Sequence, residues 1–146
     1  DIALRYLTQA LELAQDDSEK SAVYFDLAKT HYMSGNKIEA RKMANEALRL
    51  DPLNKDCYRL IGDLYYNSFD ECKRGKSRVH DRSVFYAAYE KYALANDKEK
   101  MSNAEQQFPT MEEIHTENYA EGETINTNCW IEEQVKIRRR PDLASK

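Results

Sequence analysis

The residue types that could carry chemistry are few in this chain and widely separated. Its cysteines and histidines are Cys57, Cys72, Cys129, His31, His80 and His115. A zinc site needs ligands in closely spaced pairs, and these residues form none. Glycine occurs only four times, and no nucleophile elbow, phosphate loop or nucleotide fingerprint is present. The sequence therefore predicts no metal site, no cofactor and no catalytic activity.

The charge and hydropathy of the chain restrict its partners. Apolar residues make up 41% of the 146 residues, which is enough for a continuous core. The formal net charge is −4, and this argues against general binding to nucleic acid. No apolar run approaches the roughly 20 residues that a membrane-spanning helix needs. We therefore expect a protein or peptide partner, with no nucleic acid and no direct insertion into a membrane.

The elements that position the side chains follow from an internal repeat of 34 residues. Four positions of one segment recur at this spacing: Tyr24 and Tyr58, Leu27 and Ile61, Ala28 and Gly62, Tyr32 and Tyr66. A unit of this length that alternates large and small residues buries its apolar face only by stacking on a neighbour. The period therefore predicts a mainly α-helical repeat fold.

The first complete unit spans residues 21–54 and resembles a tetratricopeptide repeat. Its motif residues are Tyr24, Leu27, Ala28, Tyr32, Gly35, Ala40, Ala47 and Pro52, whereas His31 and Ala44 replace a usual aromatic and a usual large residue. The resemblance implies a pair of antiparallel helices that approach closely where Ala28 and Ala40 face each other, joined by a turn at Gly35. The implied architecture is a superhelix of such pairs.

The same pattern predicts a helical stack over residues 1–108. Its parts are a half repeat at 1–14, a repeat at 21–54, a repeat at 55–96 with an insertion at 67–83, and a capping helix at 98–107. The predicted helices are 2–14, 20–34, 37–50, 55–72, 82–96 and 98–107. The first helix lacks its partner, so the chain looks like the distal part of a longer protein. Its Leu4, Leu7 and Leu11 should then leave an apolar strip exposed.

The periodicity changes in residues 109–139. Thr110 and Glu113 have the spacing of a capping box, which predicts a short helical turn. Residues 123–138 alternate in hydropathy and predict a β-hairpin, with Ile125, Thr127, Cys129 and Ile131 on one face of the first strand and Val135 and Ile137 in the second. A hairpin needs an apolar surface, and we expect it to dock against the capping helix. The chain from Arg139 onward, including the tail 140–146, is expected to fray.

The divergent repeats, the insertion and the ending are together similar to a group of tetratricopeptide proteins common in Bacteroidetes. The segments that carry this likeness are 84–92, 108–110, 122, 129–131 and 138. Such proteins are often exported, so the resemblance implies a periplasmic or envelope-associated module, with the cytoplasm as the alternative. If the chain is exported, Cys72 and Cys129 could form a disulfide that pins the hairpin to the stack. Buried free cysteines explain the same residues equally well.

The binding surface of such a stack is usually its concave side, lined by the first helix of each pair. The corresponding residues here are Phe25, Lys29, Tyr32, Met33, Arg59, Asp63, Tyr66 and Asn67. Aromatic area would give affinity for a peptide, and the charged groups would orient it. In the other interpretation Tyr32 and Tyr66 are packing residues and the charges are solvated. A chaperone-type carboxylate clamp is rejected, because its asparagine positions hold Asp26 and Leu60.

Two further interpretations stay open. The insertion carries five basic and three acidic residues, so it either contacts an anion or a partner or is a solvated loop. The whole chain could also be a structural element of a larger envelope protein, without a dedicated peptide ligand. Its exposed first helix would then join an upstream domain or another copy of the chain.

Overall fold

The computed structural model describes residues 1–142. Within them the chain is mainly helical and ends in a small antiparallel sheet, which confirms the predicted fold class. The elements are α1 (Ile2–Leu13), α2 (Asp17–Met33), α3 (Lys37–Leu50), α4 (Lys55–Tyr66), α5 (Phe69–Cys72), α6 (Arg78–Asp81), α7 (Ser83–Leu94), α8 (Lys98–Glu105), α9 (Met111–Thr116), β1 (Thr124–Asn126) and β2 (Gln134–Lys136). They form two compact units, Asp1–Leu64 and the part of the chain that begins at Tyr65.

The first unit is built on the pair of helices α2 and α3. Ala28 of α2 and Ala40 of α3, the predicted contact residues, are completely buried, and so are Ala44 and Ala47 of α3. Because a methyl group needs little room, helices with alanine at the contact pack closely. The Ser21 hydroxyl donates a hydrogen bond of 2.9 Å to the Ala47 carbonyl, so the one buried polar group on α2 is satisfied by α3.

One type of cap ends α2, α7 and α9. Gly35, Asn96 and Asn118 follow these helices with φ angles of 82°, 54° and 63°. Next to Gly35, the Asn36 N–H donates to the His31 carbonyl and the Gly35 N–H to the Tyr32 carbonyl, the hydrogen bonds of a Schellman motif. Glycine and asparagine tolerate this left-handed conformation better than other residues, which explains their use at all three turns.

Helix α1 packs against α2 on one side only. Leu4, Leu7 and Leu11 are half-buried, so the prediction that they form an exposed strip is wrong. The exposed apolar side chains of α1 are instead Ile2 and Leu13, with Tyr6 between them. The helix therefore has two apolar sides, and its pattern alone did not tell which one would be covered.

Helix α7 is the centre of the second unit. Most of its residues are buried, and it contacts α8 and strand β2. The Tyr86 hydroxyl donates a hydrogen bond of 2.7 Å to the Arg138 carbonyl, just after β2. The hairpin thus docks chiefly on α7, and the expected docking on the helix at 98–107 is wrong. Helix α7 offers more buried apolar surface than α8, whose buried residue is Ala104.

The predicted helix 55–72 is interrupted after Tyr66. Asn67 and Ser68 separate α4 from α5, although neither glycine nor proline is present there. The buried Ser68 hydroxyl accepts a hydrogen bond of 3.2 Å from the Trp130 indole N–H. This contact spans 62 residues, and a local pattern cannot reveal it. The rest of the insertion contains α6, and its Ser77 and Arg78 donate hydrogen bonds to Glu117, directly after α9.

The C-terminal hairpin is shorter than its alternating pattern predicts. Ile125 pairs with Val135; strand β1 ends at Asn126, and strand β2 begins at Gln134. Residues 127–133 form a loop, so Cys129 and Ile131 do not continue the first strand. Cys129 has a φ angle of 64°, which is incompatible with an extended strand. The capping box of Thr110 and Glu113 at α9 is confirmed.

The chain after β2 is held for several residues. Arg140 donates hydrogen bonds to the carbonyls of Pro109 and Phe108, at 2.8 and 2.9 Å, so fraying from Arg139 is not observed. Residues 143–146 of the predicted tail lie outside the described part of the chain. Among residues 1–142, no helix combines the length and the apolar character that crossing a membrane requires.

Candidate functional site

An open groove in the first unit brings together predicted site residues from two helices. It has a volume of about 350 Å³. Helix α2 contributes Phe25, Lys29, Tyr32 and Met33, and helix α4 contributes Asp56, Arg59, Leu60 and Asp63. On both helices each of these residues lies three or four positions from another of them, which places them along one side of each helix. We call this site the α2–α4 groove.

The remaining faces of the two helices explain why these side chains stay available. Leu27 and Ala28 of α2 are buried, and Cys57, Ile61 and Leu64 of α4 are buried as well. These residues anchor each helix in the protein, so the groove residues other than the buried Leu60 lie on less buried sides of the two helices. Met33 at the end of α2 is 84% exposed, so its side chain is accessible to a ligand in the groove.

The charged groups of the groove are engaged by neighbours on their own helices. The Lys29 ammonium lies 3.1 Å from an Asp26 carboxylate oxygen and 4.7 Å from the centre of the Phe25 ring. The Arg59 guanidinium lies 2.6 Å from Asp56. Since both pairs are between residues three apart, they fix side-chain directions but contribute little stability at an exposed surface. The groove thus presents apolar area bordered by neutralised charge.

Two of the predicted site residues lie elsewhere. The Tyr66 ring packs against the rings of Phe85 and Tyr92 in the second unit, with ring centres 5.2 and 6.4 Å apart. This is the packing role that was the other interpretation of Tyr66. Asn67 is exposed in the break between α4 and α5. Neither residue lines the α2–α4 groove.

Asp56 and Leu60 line the groove and were missing from the predicted site. They lie three residues before Arg59 and Asp63, so the helical spacing could have found them. Asp56 lies in the first turn of α4, before the first predicted position, and Leu60 directly follows Arg59. Their presence adds a buried apolar floor at Leu60 and the carboxylate partner of Arg59.

The three cysteines are either bonded or inaccessible. Cys72 and Cys129 form a disulfide, the pairing that the sequence left open. Cys57 is buried, and burial together with the charges of Asp56 and Asp51 raises the pKa of its thiol to about 12. Since the thiolate is the nucleophile, Cys57 is unreactive at neutral pH. Within residues 1–142 no three histidine, cysteine or acidic side chains gather as metal ligands.

Comparison with known proteins finds a match for α2 and α3, and α2 provides half of the groove lining. Residues 21–54, from within α2 to just before α4, match the family model described as the tetratricopeptide repeat. The α2–α3 pair is similar to a tetratricopeptide repeat. This supports the prediction of a tetratricopeptide-repeat protein, and such repeats are generally protein-interaction modules and typically non-enzymatic. No curated protein matches the chain.

Proposed function

We propose that this chain is a non-catalytic interaction module that binds a peptide or an extended protein segment in the α2–α4 groove. The observation that carries the proposal is the apolar surface of the half-buried Phe25 and Tyr32 and the exposed Met33, above the floor formed by Leu60. A concave apolar surface between helices suits the side chains of a bound segment. Its similarity to a tetratricopeptide repeat supports a protein partner.

The electrostatics of the groove define the class of segment further. Its lining holds two cations and two carboxylates, and Lys29 and Arg59 already have carboxylates within ion-pair distance. A strongly charged ligand would therefore gain little net attraction. We infer that the partner presents an aromatic or large aliphatic side chain, and that its affinity depends only weakly on salt.

The test begins with selection of peptide binders from a displayed random library and measurement of their affinities by calorimetry. Met33→Ala should weaken the selected peptides about fivefold or more, because truncation of an interface anchor costs more than about 1 kcal/mol. Leu53→Ala is the matched control, since Leu53 is 86% exposed and lies outside the groove. Equal effects of the two substitutions would refute the site.

A second function, assembly of copies of the chain, is favoured by a different observation. Ile2, Tyr6 and Leu13 of α1 are 72%, 70% and 77% exposed. Their spacing of four and seven residues puts them on one side of the helix. Burial of such a strip against the same strip of a second copy would form an isologous contact, as in most homodimers. The first helix would then serve assembly while the groove stays open.

The disulfide supports an extracytoplasmic location. Disulfides persist in the periplasm and at the cell surface, whereas reducing systems of the cytoplasm keep thiols free. We therefore propose the periplasm or the envelope for a chain that links Cys72 to Cys129. Alkylation of intact cells before extraction tests this: these two cysteines should resist labelling until a reductant is added. Labelling without reductant would place the protein in a reducing compartment.

A further inference from the structure

A second depression, in the insertion, has the opposite character from the α2–α4 groove. It also has a volume of about 350 Å³ and lies within the second unit. Charged side chains dominate its lining, namely Lys76, Arg78, Arg82, Asp81 and Glu117, and Phe69 adds an aromatic ring. We call this site the insertion pocket. Its function depends on which of these charges remain available.

The two carboxylates of the insertion pocket are committed to the protein. Asp81 accepts two backbone N–H hydrogen bonds, both of 2.9 Å, through its two oxygens. Glu117 accepts hydrogen bonds from the Ser77 hydroxyl at 2.6 Å and the Arg78 N–H at 2.7 Å. Both carboxylates thus shape the loop, and their negative charge is partly neutralised by these donors.

The cations of the insertion pocket are less fully matched. The Arg78 guanidinium lies 2.9 Å from Glu113. Arg82 donates a hydrogen bond of 2.8 Å to the Gln107 carbonyl, and its guanidinium lies 5.6 Å from the centre of the Phe69 ring. Among residues 1–142, however, no carboxylate lies within ion-pair distance of Arg82 or of the exposed Lys76.

The surroundings of Arg82 disfavour its own positive charge. Burial lowers the pKa of its guanidinium, and the nearby charges of Arg78 and Arg140 lower it further, against a smaller opposing effect of Glu113. A half-buried cation that faces two like charges has lost part of its hydration without gaining a counter-ion. An anion in the pocket would supply the missing interaction.

We propose that the insertion pocket binds an oxyanion group, a phosphate or a carboxylate, through Arg82 and Lys76. The volume exceeds what a single oxyanion fills, so the group is carried by a larger molecule whose remainder lies along Phe69. Planar guanidinium groups bind such oxygens with two parallel hydrogen bonds, which suits Arg82 to this role. The site is independent of the α2–α4 groove.

Calorimetric titration tests the proposal. Inorganic phosphate and acetate are titrated separately, and each is compared with chloride at the same low ionic strength. The two titrations distinguish a phosphate ligand from a carboxylate ligand. Phosphate, acetate or both should bind more tightly than chloride. Lys76→Gln should weaken that binding about two- to fivefold, as expected for an exposed ion pair. Arg82→Gln should weaken it about tenfold or more, because a hydrogen bond to a charged group in a half-buried site is stronger.

The controls separate a built site from general charge attraction. Lys98→Gln removes the same charge from α8, outside the pocket, and should leave the affinity unchanged. If Arg82→Gln disturbs the circular dichroism spectrum, Arg82→Lys keeps the charge and should still lose affinity, since lysine lacks the two-pronged geometry. The proposal is overturned if neither oxyanion exceeds chloride, or if Lys76→Gln and Lys98→Gln act equally.

Discussion

At the scale of residues, alanines set the distance between α2 and α3. Ala28 is completely buried in α2, whereas Ala22 on the same helix is exposed. Closely packed interiors have no room for added methylene groups, so a larger side chain shifts backbone or takes a strained rotamer. The small residues therefore carry much of the fold's specificity.

Replacement of the buried alanine tests this role. Ala28→Leu should lower the free energy of unfolding by about 1–3 kcal/mol through overpacking. The measurement is urea denaturation followed by circular dichroism. Ala22→Leu is the matched control and should stay within about 0.5 kcal/mol of the unchanged protein. A neutral Ala28→Leu would contradict the close contact.

The candidate groove was predictable from residues to a large extent. The spacing of Phe25, Lys29, Tyr32 and Met33 along one helix is visible in the sequence, and the repeat offset led to Arg59 and Asp63. Tyr66 has the same offset and the same residue type as Tyr32, yet it packs against Phe85. A repeat identifies equivalent positions, but which neighbour covers them depends on the insertion that follows.

At the scale of elements, the regular helices were predictable and the irregular segments were not. The helices 37–50 and 98–107 agree with α3 and α8 to within two residues. By contrast, the break between α4 and α5 is bonded at Ser68 to Trp130, and the loop after β1 is linked through Cys129 to Cys72. Contacts between residues so distant in the chain leave no local periodic signal.

Loop 127–133 is the element whose position depends most on the disulfide. Opening the Cys72–Cys129 bond should lower the stability of the protein by about 2–4 kcal/mol. It should also release Trp130, whose ring centre lies 5.6 Å from that of Tyr65, and shift its fluorescence to the red. Trp130 is the only tryptophan of the chain, so the signal is unambiguous.

The double substitution Cys72→Ser and Cys129→Ser should reproduce the effect of a reductant. Adding the reductant to that variant should then change nothing further. If neither the reductant nor the double substitution changes the melting temperature or the fluorescence, the prediction is wrong and packing alone holds the loop.

At the scale of the whole molecule, the two compact units carry separate candidate sites. The first holds the apolar α2–α4 groove, and the second holds the charged insertion pocket. Salt should therefore distinguish them, because screening weakens exposed charge interactions and leaves apolar burial almost unchanged. The second helical repeat predicted at 55–96 and the predicted domain limits remain predictions.

Self-association is the second property of the whole molecule that can be measured directly. The apolar strip on α1 predicts concentration-dependent dimers in light scattering. Leu13→Glu should shift them to monomers, because it places a charge in the contact. Leu53→Glu, at an equally exposed apolar residue outside α1, should not. A monomer at every accessible concentration would contradict assembly through the α1 strip.

The most direct test of groove binding uses the four methionines as reporters. Met33 lines the α2–α4 groove, whereas Met43, Met101 and Met111 lie on α3, α8 and α9. Methyl NMR of carbon-13-labelled methionines, during titration with a selected peptide, should shift the Met33 signal and leave the other three nearly unchanged. Binding that shifts Met101 or Met111 while Met33 stays in place would contradict the assignment of the groove.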